Sequence, residues 1–392
     1  MTRALLLRLS DRLRRSTSGG GFIPEIDGLR FFSIAFVILY HAPYHHWPGA
    51  PPLYGRFAFY GNFGVQMFFA ISGFILGLPF AEAHILGTRT VSLRRYFVRR
   101  LTRLEPPYII NLVIWFALKI FVLRHRTFSW LLPHLLASLT YTHNVIYGAP
   151  SEVNLFAWSL EVEVQFYILA PLLSLVFTLP RPARLAILAA AIVGTSQVVV
   201  DPPLSFRGQA QWFLVGFLLV DLYLVSWKRR PTQTASWDIV TLLVWPLIFA
   251  CLGVSQENAS TLLWRASLFA IPWLLLAGYV AAFRGPLTRR TLRWAPIYIV
   301  GGMCYSIYLY HGYVLEAVVA LQRKYALTGS YWLNTFAGLT AIAVAVLVTC
   351  SLAFVFFEKP FMNPRWHVEL WNRMTGRGGA PSAPSAVPQA SE

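Results

Sequence analysis

Three ionisable side chains are expected at similar depth inside apolar stretches of this sequence, where a titratable group is costly. They are His41, Glu163 and His311. Ionisable residues within membrane segments are rare and usually functional. The helical rise places His41 about 16 Å from the inner edge of its stretch, and the other two at about 22 Å. A histidine beside a carboxylate in a dry site is a candidate general base, because the carboxylate fixes the imidazole tautomer and stabilises the imidazolium.

Two other interpretations of these residues remain open from the sequence. The histidines also suit hydrogen bonding between neighbouring helices. Together with the carboxylate they also suit the proton relay of a transporter.

Arg30 accompanies the first histidine in the stretch "GLRFFSIAFVILYHA", residues 28–42. Arg30 and His41 are eleven residues apart, which is close to three helical turns, so both side chains share one helix face. The spacing predicts an arginine at the inner membrane edge and a histidine deep inside the same span.

A cluster of arginines occurs in "SLRRYFVRRLTRLEPPY", residues 92–108. Arg99, Arg100 and Arg103 fall on adjacent helical turns, and arginine suits bidentate recognition of phosphate. Pro106 and Pro107 are expected to break this helix before the next span and hold the cluster at the membrane edge. A basic loop that only orients the protein and contacts lipid headgroups is the alternative.

The elements that must position these residues are membrane helices. Apolar residues make up 56% of the 392-residue chain and charged residues 12%, which excludes an ordinary soluble domain. The sequence predicts an all-α integral membrane protein, a bundle of about ten transmembrane helices. The ten apolar stretches are residues 30–47, 61–81, 107–123, 158–179, 184–200, 210–227, 238–254, 264–283, 296–318 and 332–356.

The distribution of basic residues predicts that both termini are cytoplasmic. With that orientation 25 Lys and Arg residues lie on the inner side and seven on the outer side, as the positive-inside rule requires. Anionic headgroups account for most of the net charge of +17, so no nucleic-acid partner is expected. We expect a multi-pass protein of the inner (cytoplasmic) membrane.

The ends of the chain carry no expected domain of their own. Residues 1–21 are predicted to be a cytoplasmic amphipathic or disordered segment, residues 22–362 the membrane domain, and residues 363–392 a largely disordered cytoplasmic tail. Residues 124–157 are expected to form an outer cap.

The three cysteines lie in apolar runs and predict no disulfide or metal site. Gly73 and Gly77 have the spacing of close helix packing.

Six motifs in order resemble the membrane acyltransferase-3 family, the bacterial integral-membrane O-acyltransferases that act on glycans and related acceptors. The motifs are "IPEIDGLRFFSIAFVILYHA", "GVQMFFAISGFILG", "RRLTRLEP", "WSLEVEVQFY", "YSIYLYH" and "FEKPF". They place the family's arginine and histidine at Arg30 and His41, its glutamate at Glu163 and its late histidine at His311. Glu161 and Val164 depart from the usual pattern.

The resemblance implies transfer of an acyl group, commonly acetyl, from acyl-CoA to a hydroxyl of a carbohydrate or glycan acceptor. It implies Arg99, Arg100 and Arg103 as residues that bind acyl-CoA, the donor substrate, and no tightly bound cofactor. His41, Glu163 and Arg30 are then the catalytic candidates, and the substrate-binding candidates are Trp158, Ser159, Tyr305 and His311. The alternative function is a proton-coupled transporter or flippase of a glycan or lipid intermediate, and the oligomeric state stays open.

Overall fold

The computed structural model describes residues 12–15, 21–43, 50–124, 126–198, 204–256, 260–324, 330–363, 366 and 375. Every regular element within these ranges is a helix, as predicted. Long helices are expected here because a backbone within lipid must satisfy its hydrogen bonds internally. The residues at 1–11, 16–20 and 44–49 and most of the predicted tail lie outside the described residues.

Fifteen α-helices follow one another along the described chain. They are α1 Pro24–His41, α2 Pro52–Phe59, α3 Gly64–Leu86, α4 Leu93–Ala117, α5 Phe128–Leu139, α6 His143–Tyr147, α7 Trp158–Leu173, α8 Arg181–Ser196, α9 Phe206–Asp221, α10 Ser236–Gln256, α11 Thr261–Arg284, α12 Pro286–Leu292, α13 Ala295–Gly302, α14 Cys304–Lys324 and α15 Tyr331–Ala353. Short 3₁₀ or π turns extend several of them, including Leu155–Ala157 before α7 and Phe354–Glu358 after α15.

Seven of the described helical segments are long and apolar enough to cross a membrane. They are Pro52–Leu86, Leu93–Val122, Leu155–Thr178, Phe206–Ser226, Ser236–Val254, Thr261–Arg284 and Tyr331–Met362. The protein is therefore a multi-pass helical membrane protein. The predicted stretches 30–47, 184–200 and 296–318 correspond to helices outside these seven.

The structure explains these three differences. Helix α1 begins at Pro24 instead of residue 30, so it includes Glu25 and Asp27 as well as Arg30. Helix α8 has 16 residues. The predicted ninth stretch is divided at Met303 into α13 and α14.

Close approach between backbones holds α3 against α9. A Cβ on Gly73 would lie 2.1 Å from the carbonyl oxygen of Phe213, and one on Gly216 would lie 2.2 Å from that of Ala70. The predicted packing role of Gly73 and Gly77 is confirmed, because Gly77 faces the ring of Phe217. This contact fixes α3, which carries Ser72, at the centre of the bundle.

The prediction that Pro106 and Pro107 break their helix is wrong. Helix α4 runs through both prolines. Proline removes an intrahelical N–H donor, so a carbonyl one turn earlier needs another partner. The indole Nε1 of Trp366 donates to the carbonyl of Thr102 at 3.1 Å, the position that Pro106 leaves open. The arginine cluster and the span that follows thus belong to one continuous helix.

Candidate active site

A cavity of about 630 Å³ lies between helices α1, α3, α4, α7 and α14. Its described lining is rich in cations. Seven arginines contribute, namely Arg15, Arg30, Arg89, Arg95, Arg99, Arg100 and Arg103, together with four carboxylates, Asp27, Glu82, Glu163 and Glu358. The excess of positive charge suits a ligand with several negative charges.

All three arginines predicted to bind the donor line this cavity. The guanidinium of Arg100 lies 4.9 Å from the ring centroid of Tyr96, which orients it by cation–π contact. Arg99 donates through Nε to the carbonyl of Arg95 at 3.2 Å. The Nε atom of Arg103 is buried without a hydrogen-bond partner among the described residues. An unpaired buried donor of a cation is costly, so Arg103 favours an anionic ligand.

Arg30 is held in the cavity wall by an ion pair within its own helix. Its Nη1 atom lies 2.6 Å from Oδ1 of Asp27, and Nη1 of Arg15 approaches the same oxygen at 3.2 Å. Burial and the nearby Arg103 and Arg30 lower the pKa of Arg15 to about 9, which still leaves it charged at neutral pH. The Asp27 carboxylate thus orients both Arg15 and Arg30, and the net charge of the three side chains stays positive.

Glu163 also lies on the cavity wall. Its Oε1 accepts a hydrogen bond from Ser72 Oγ at 2.5 Å. Glu163 therefore lies in the arginine-lined space, facing α3. Its predicted role in orienting His41 stays a prediction.

Arg15, Cys304 and Glu358 are among the cavity residues that the sequence reasoning missed. Arg15 precedes the predicted membrane domain, Cys304 looked like an apolar-span residue, and Glu358 looked like an ordinary helix-end acid. Glu358 Oε2 accepts from the backbone N and the Oγ of Ser306 at 3.1 and 2.6 Å, while Oε1 is buried without a described partner. The "FEKPF" motif was the available signal for Glu358.

Hydroxyl groups form the end of the cavity opposite the arginines. Tyr308 and Ser159 line the space, and their hydroxyl oxygens are 2.8 Å apart. The Tyr308 hydroxyl also donates to the carbonyl of Phe156. Tyr305 lines the cavity and donates to the carbonyl of Leu104 at 2.8 Å. Trp158 instead packs edge-on against Phe69, with ring centroids 6.5 Å apart.

The two predicted histidines meet just beyond this end wall. The ring centroids of His41 and His311 are 5.4 Å apart. The ring of Phe156 contacts both, at 4.7 Å from His41 and 4.6 Å from His311. His41 is the last residue of α1, and His311 lies one turn beyond Tyr308 in α14. The structure therefore brings together the two histidines that the depth estimates placed at similar levels.

A profile of an acyltransferase domain matches residues 23–356 of the chain. The chain belongs to the acyltransferase-3 family. The matched region includes the histidine pair and six of the seven cavity arginines. Arg15 precedes it, and Glu358 follows it by two residues.

Named relatives of the acyltransferase-3 chain are similar over most of its length. A Bacillus subtilis (strain 168) protein named peptidoglycan O-acetyltransferase YrhL is 27% identical over 380 residues, which cover 86% of this chain and 55% of the relative. The O-acetyltransferase OatA of Staphylococcus aureus (strain NCTC 8325) is 23% identical over 371 residues, covering 86% and 57%. The chain thus spans little more than half the length of these relatives. No solved protein structure matches it.

Proposed function

We propose that this protein is an integral-membrane O-acyltransferase. It transfers an acyl group, with acetyl as the expected one, from acyl-CoA to a hydroxyl of a carbohydrate or glycan at or across the inner membrane. The observation that carries the proposal is the arrangement of one cavity, lined by arginines at one end and ending at the other beside two histidines.

The proposed topology places the arginine end of the cavity in the cytoplasm, with both chain termini on the same side. About ten segments cross the membrane, the three beyond the seven long apolar helices being α1, α8 and the α13–α14 pair. The basic residues of the inner loops support this orientation. Acyl-CoA is a cytoplasmic metabolite, so its phosphates would meet the arginines from that side.

The donor is held in this proposal by Arg99, Arg100 and Arg103, with Arg30 further along the wall. Guanidinium groups bind phosphate oxygens through paired hydrogen bonds, which suits the several phosphates of coenzyme A. The thioester end of the donor then extends towards Tyr308 and Ser159, next to the histidines. The site needs no metal or bound cofactor for this binding.

His41 performs the central chemistry of the proposal. It either deprotonates the acceptor hydroxyl for attack on the thioester, or accepts the acyl group itself in a two-step route. Glu163 and Arg30 assist from the cavity side. Ser159, Tyr305, His311 and Trp158 form the surroundings of the acceptor.

The acceptor is a glycan in this proposal, and peptidoglycan is the first to test because YrhL carries that word in its name. The experiment follows labelled acetyl from acetyl-CoA into envelope glycans, in membranes with and without the protein. Loss of an acyl mass from the glycans when the gene is deleted would support the proposal. A purified protein that neither transfers nor exchanges acetyl from acetyl-CoA would contradict it and favour a transporter.

A further inference from the structure

The two histidines of the pair have different surroundings. His311 is fully buried, and its Nδ1 faces the carbonyl oxygens of Tyr308 at 2.8 Å and Ile307 at 3.1 Å. A carbonyl oxygen only accepts, so Nδ1 carries the proton and donates. In the neutral ring Nε2 then has a free lone pair, and it is buried without a hydrogen-bond partner in the described structure. The backbone thus fixes the tautomer that a proton acceptor needs.

The space around His311 fits a base better than a covalent carrier. Its neighbour Gly312 lies against Phe156 so closely that a Cβ there would be 2.1 Å from the Phe156 ring. A ring that is fully buried and anchored at Nδ1 has little room for a bound acyl group. A base needs only a lone pair at a fixed point, and this ring supplies one.

His41, the other histidine of the pair, is less enclosed than His311. It ends α1, is half-buried, and contacts the rings of Tyr40, Phe156 and His311. The end wall formed by Tyr308 and Ser159 separates this pair of rings from the donor cavity by about one helical turn. An acyl group on His41 would lie beside the ring of His311.

We propose that the two histidines divide the reaction between them: His41 carries the acyl group, and His311 is the catalytic base that deprotonates the acceptor hydroxyl. This inference rests on the proposed function and selects its two-step route. In it the Tyr308 and Ser159 side chains part to admit the thioester, and the Phe156 ring moves aside for the acceptor, since that ring covers both histidines.

The two steps balance without any further reactant. In the first, a neutral nitrogen of His41 attacks the thioester carbon, the C–S bond breaks, and the leaving thiolate takes the remaining N–H proton of the acylated ring. In the second, Nε2 of His311 takes the hydroxyl proton as the acceptor oxygen attacks the acyl carbon. The C–N bond then breaks, and His41 leaves with the proton returned by His311.

The test compares His311→Asn with His41→Asn in purified full-length protein. Asparagine retains a donor near the Nδ1 position and removes Nε2, so the contact with the Tyr308 carbonyl is preserved. Exchange of label between acetyl-CoA and free CoA reports the first step and needs no acceptor. Transfer of labelled acetyl to an envelope glycan fraction reports both steps.

We expect His311→Asn to keep the exchange rate within about threefold of wild type and to lose glycan transfer by about 100-fold or more. His41→Asn should lose both. Loss of exchange in His311→Asn, retention of its transfer, or no exchange by the wild type would each overturn the division of roles. His311→Gln, a longer amide, repeats the comparison if the first variant unfolds early in a thermal melt.

Failure of the proposed function gives a different result. A wild-type protein that transfers no label to glycan and exchanges none contradicts acyl transfer itself. A wild type that transfers without exchanging retains the proposed function and overturns only the two-step assignment.

Discussion

Arg103 is a cation whose Nε atom is buried in the cavity wall without a described partner. We expect Arg103→Gln to raise the KM for acyl-CoA by about 10- to 100-fold, because a hydrogen bond to a charged group contributes about 1.5–3 kcal/mol. The kcat should change much less. Steady-state kinetics with varied acetyl-CoA measure the two constants.

Arg94 provides the matched control for that variant. It is exposed on the same helix and is not among the residues lining the cavity. Arg94→Gln should leave the KM for the donor near that of the wild type. An equal rise of KM in both variants would show a general effect of the basic surface, and would argue against a donor contact at Arg103.

His41 is the residue on which the chemistry of both proposed routes depends. We expect His41→Ala to lower kcat for acyl transfer by about 10³-fold or more, since acid–base and nucleophilic groups contribute at least that much together. Expression and membrane insertion should stay near normal. Retained turnover in this variant would remove His41 from the mechanism.

At the residue scale, a polar group that interrupts an apolar run was the signal available to sequence reasoning. His41 and His311 were found this way, and the structure places their rings 5.4 Å apart. Glu358 and Cys304 were missed because each resembled an ordinary residue of its helix. Their place in the cavity depends on how α14 and the end of α15 pack against α4, which no local pattern encodes.

Helix α3 and helix α9 pack through glycines, and this contact can be tested at the scale of the element. Gly216→Ala would place a Cβ 2.2 Å from the Ala70 carbonyl oxygen and 2.4 Å from the Phe74 nitrogen. Such overpacking costs about 1–3 kcal/mol, so we expect a lower melting temperature in detergent. Activity should fall as well, because α3 carries Ser72.

Gly194 in α8 is the control for this substitution. A Cβ at Gly194 meets no atom within 4 Å. Gly194→Ala should therefore leave the melting temperature unchanged or raise it slightly, because alanine is the better helix former. Equal destabilisation by the two variants would argue against close packing of α3 on α9.

Residues 126–157, which the proposed topology places on the outer side, contain a contact between two histidines that should depend on pH. His134 Nδ1 lies 2.9 Å from His143 Nε2, and His143 Nδ1 lies 3.0 Å from the carbonyl of Ala149. His143 thus donates to Ala149 and accepts from His134. Burial first, and His134 further, lower the pKa of His143 below its usual value, so the unfolded segment binds the proton more readily.

We expect residues 126–157 to lose stability as the pH falls below the usual histidine pKa of about 6.5, because protonated His143 can no longer accept from His134. Hydrogen exchange at pH 7.5 and pH 5.5 measures this local opening. The pH dependence should be much weaker in His143→Gln. A segment that exchanges equally at both pH values would contradict the prediction.

At the element scale, most helices were predictable from apolar runs, but their interruptions were not. Two prolines in α4 looked like a break, yet the helix continues through them. The indole of Trp366 supplies one of the missing donors, and Trp366 is 264 residues away from Thr102 in sequence. The division between α13 and α14 was missed because residues 296–318 read as one apolar stretch.

The topology is a property of the whole molecule, and it can be tested by labelling. Ser92 lies at the start of α4 and lines the cavity, whereas Val145 is exposed in α6. We expect a cysteine at position 92 to react with a membrane-impermeant maleimide only from the cytoplasmic side, and one at position 145 only from the outer side. The reverse labelling pattern would contradict the proposed orientation and the cytoplasmic donor site.

The fold class of the whole molecule could be predicted from composition. A chain with few charged residues and long apolar runs satisfies its backbone hydrogen bonds in a bilayer by forming helices. The shape of the cavity could not be predicted in this way. It is formed by side chains from several helices, and only their packing decides which arginines line the donor space and which face lipid headgroups.

The hydroxyl-rich end wall also affects how well the membrane resists the passage of ions. Tyr308, Ser159 and the Phe156 carbonyl form a hydrogen-bonded barrier between the polar cavity and the two histidines. A polar channel open to both sides would leak protons and dissipate the electrical potential of the cell. If this barrier opens only to admit the thioester, the acyl group can reach the histidines while the resistance of the bilayer to ions is preserved.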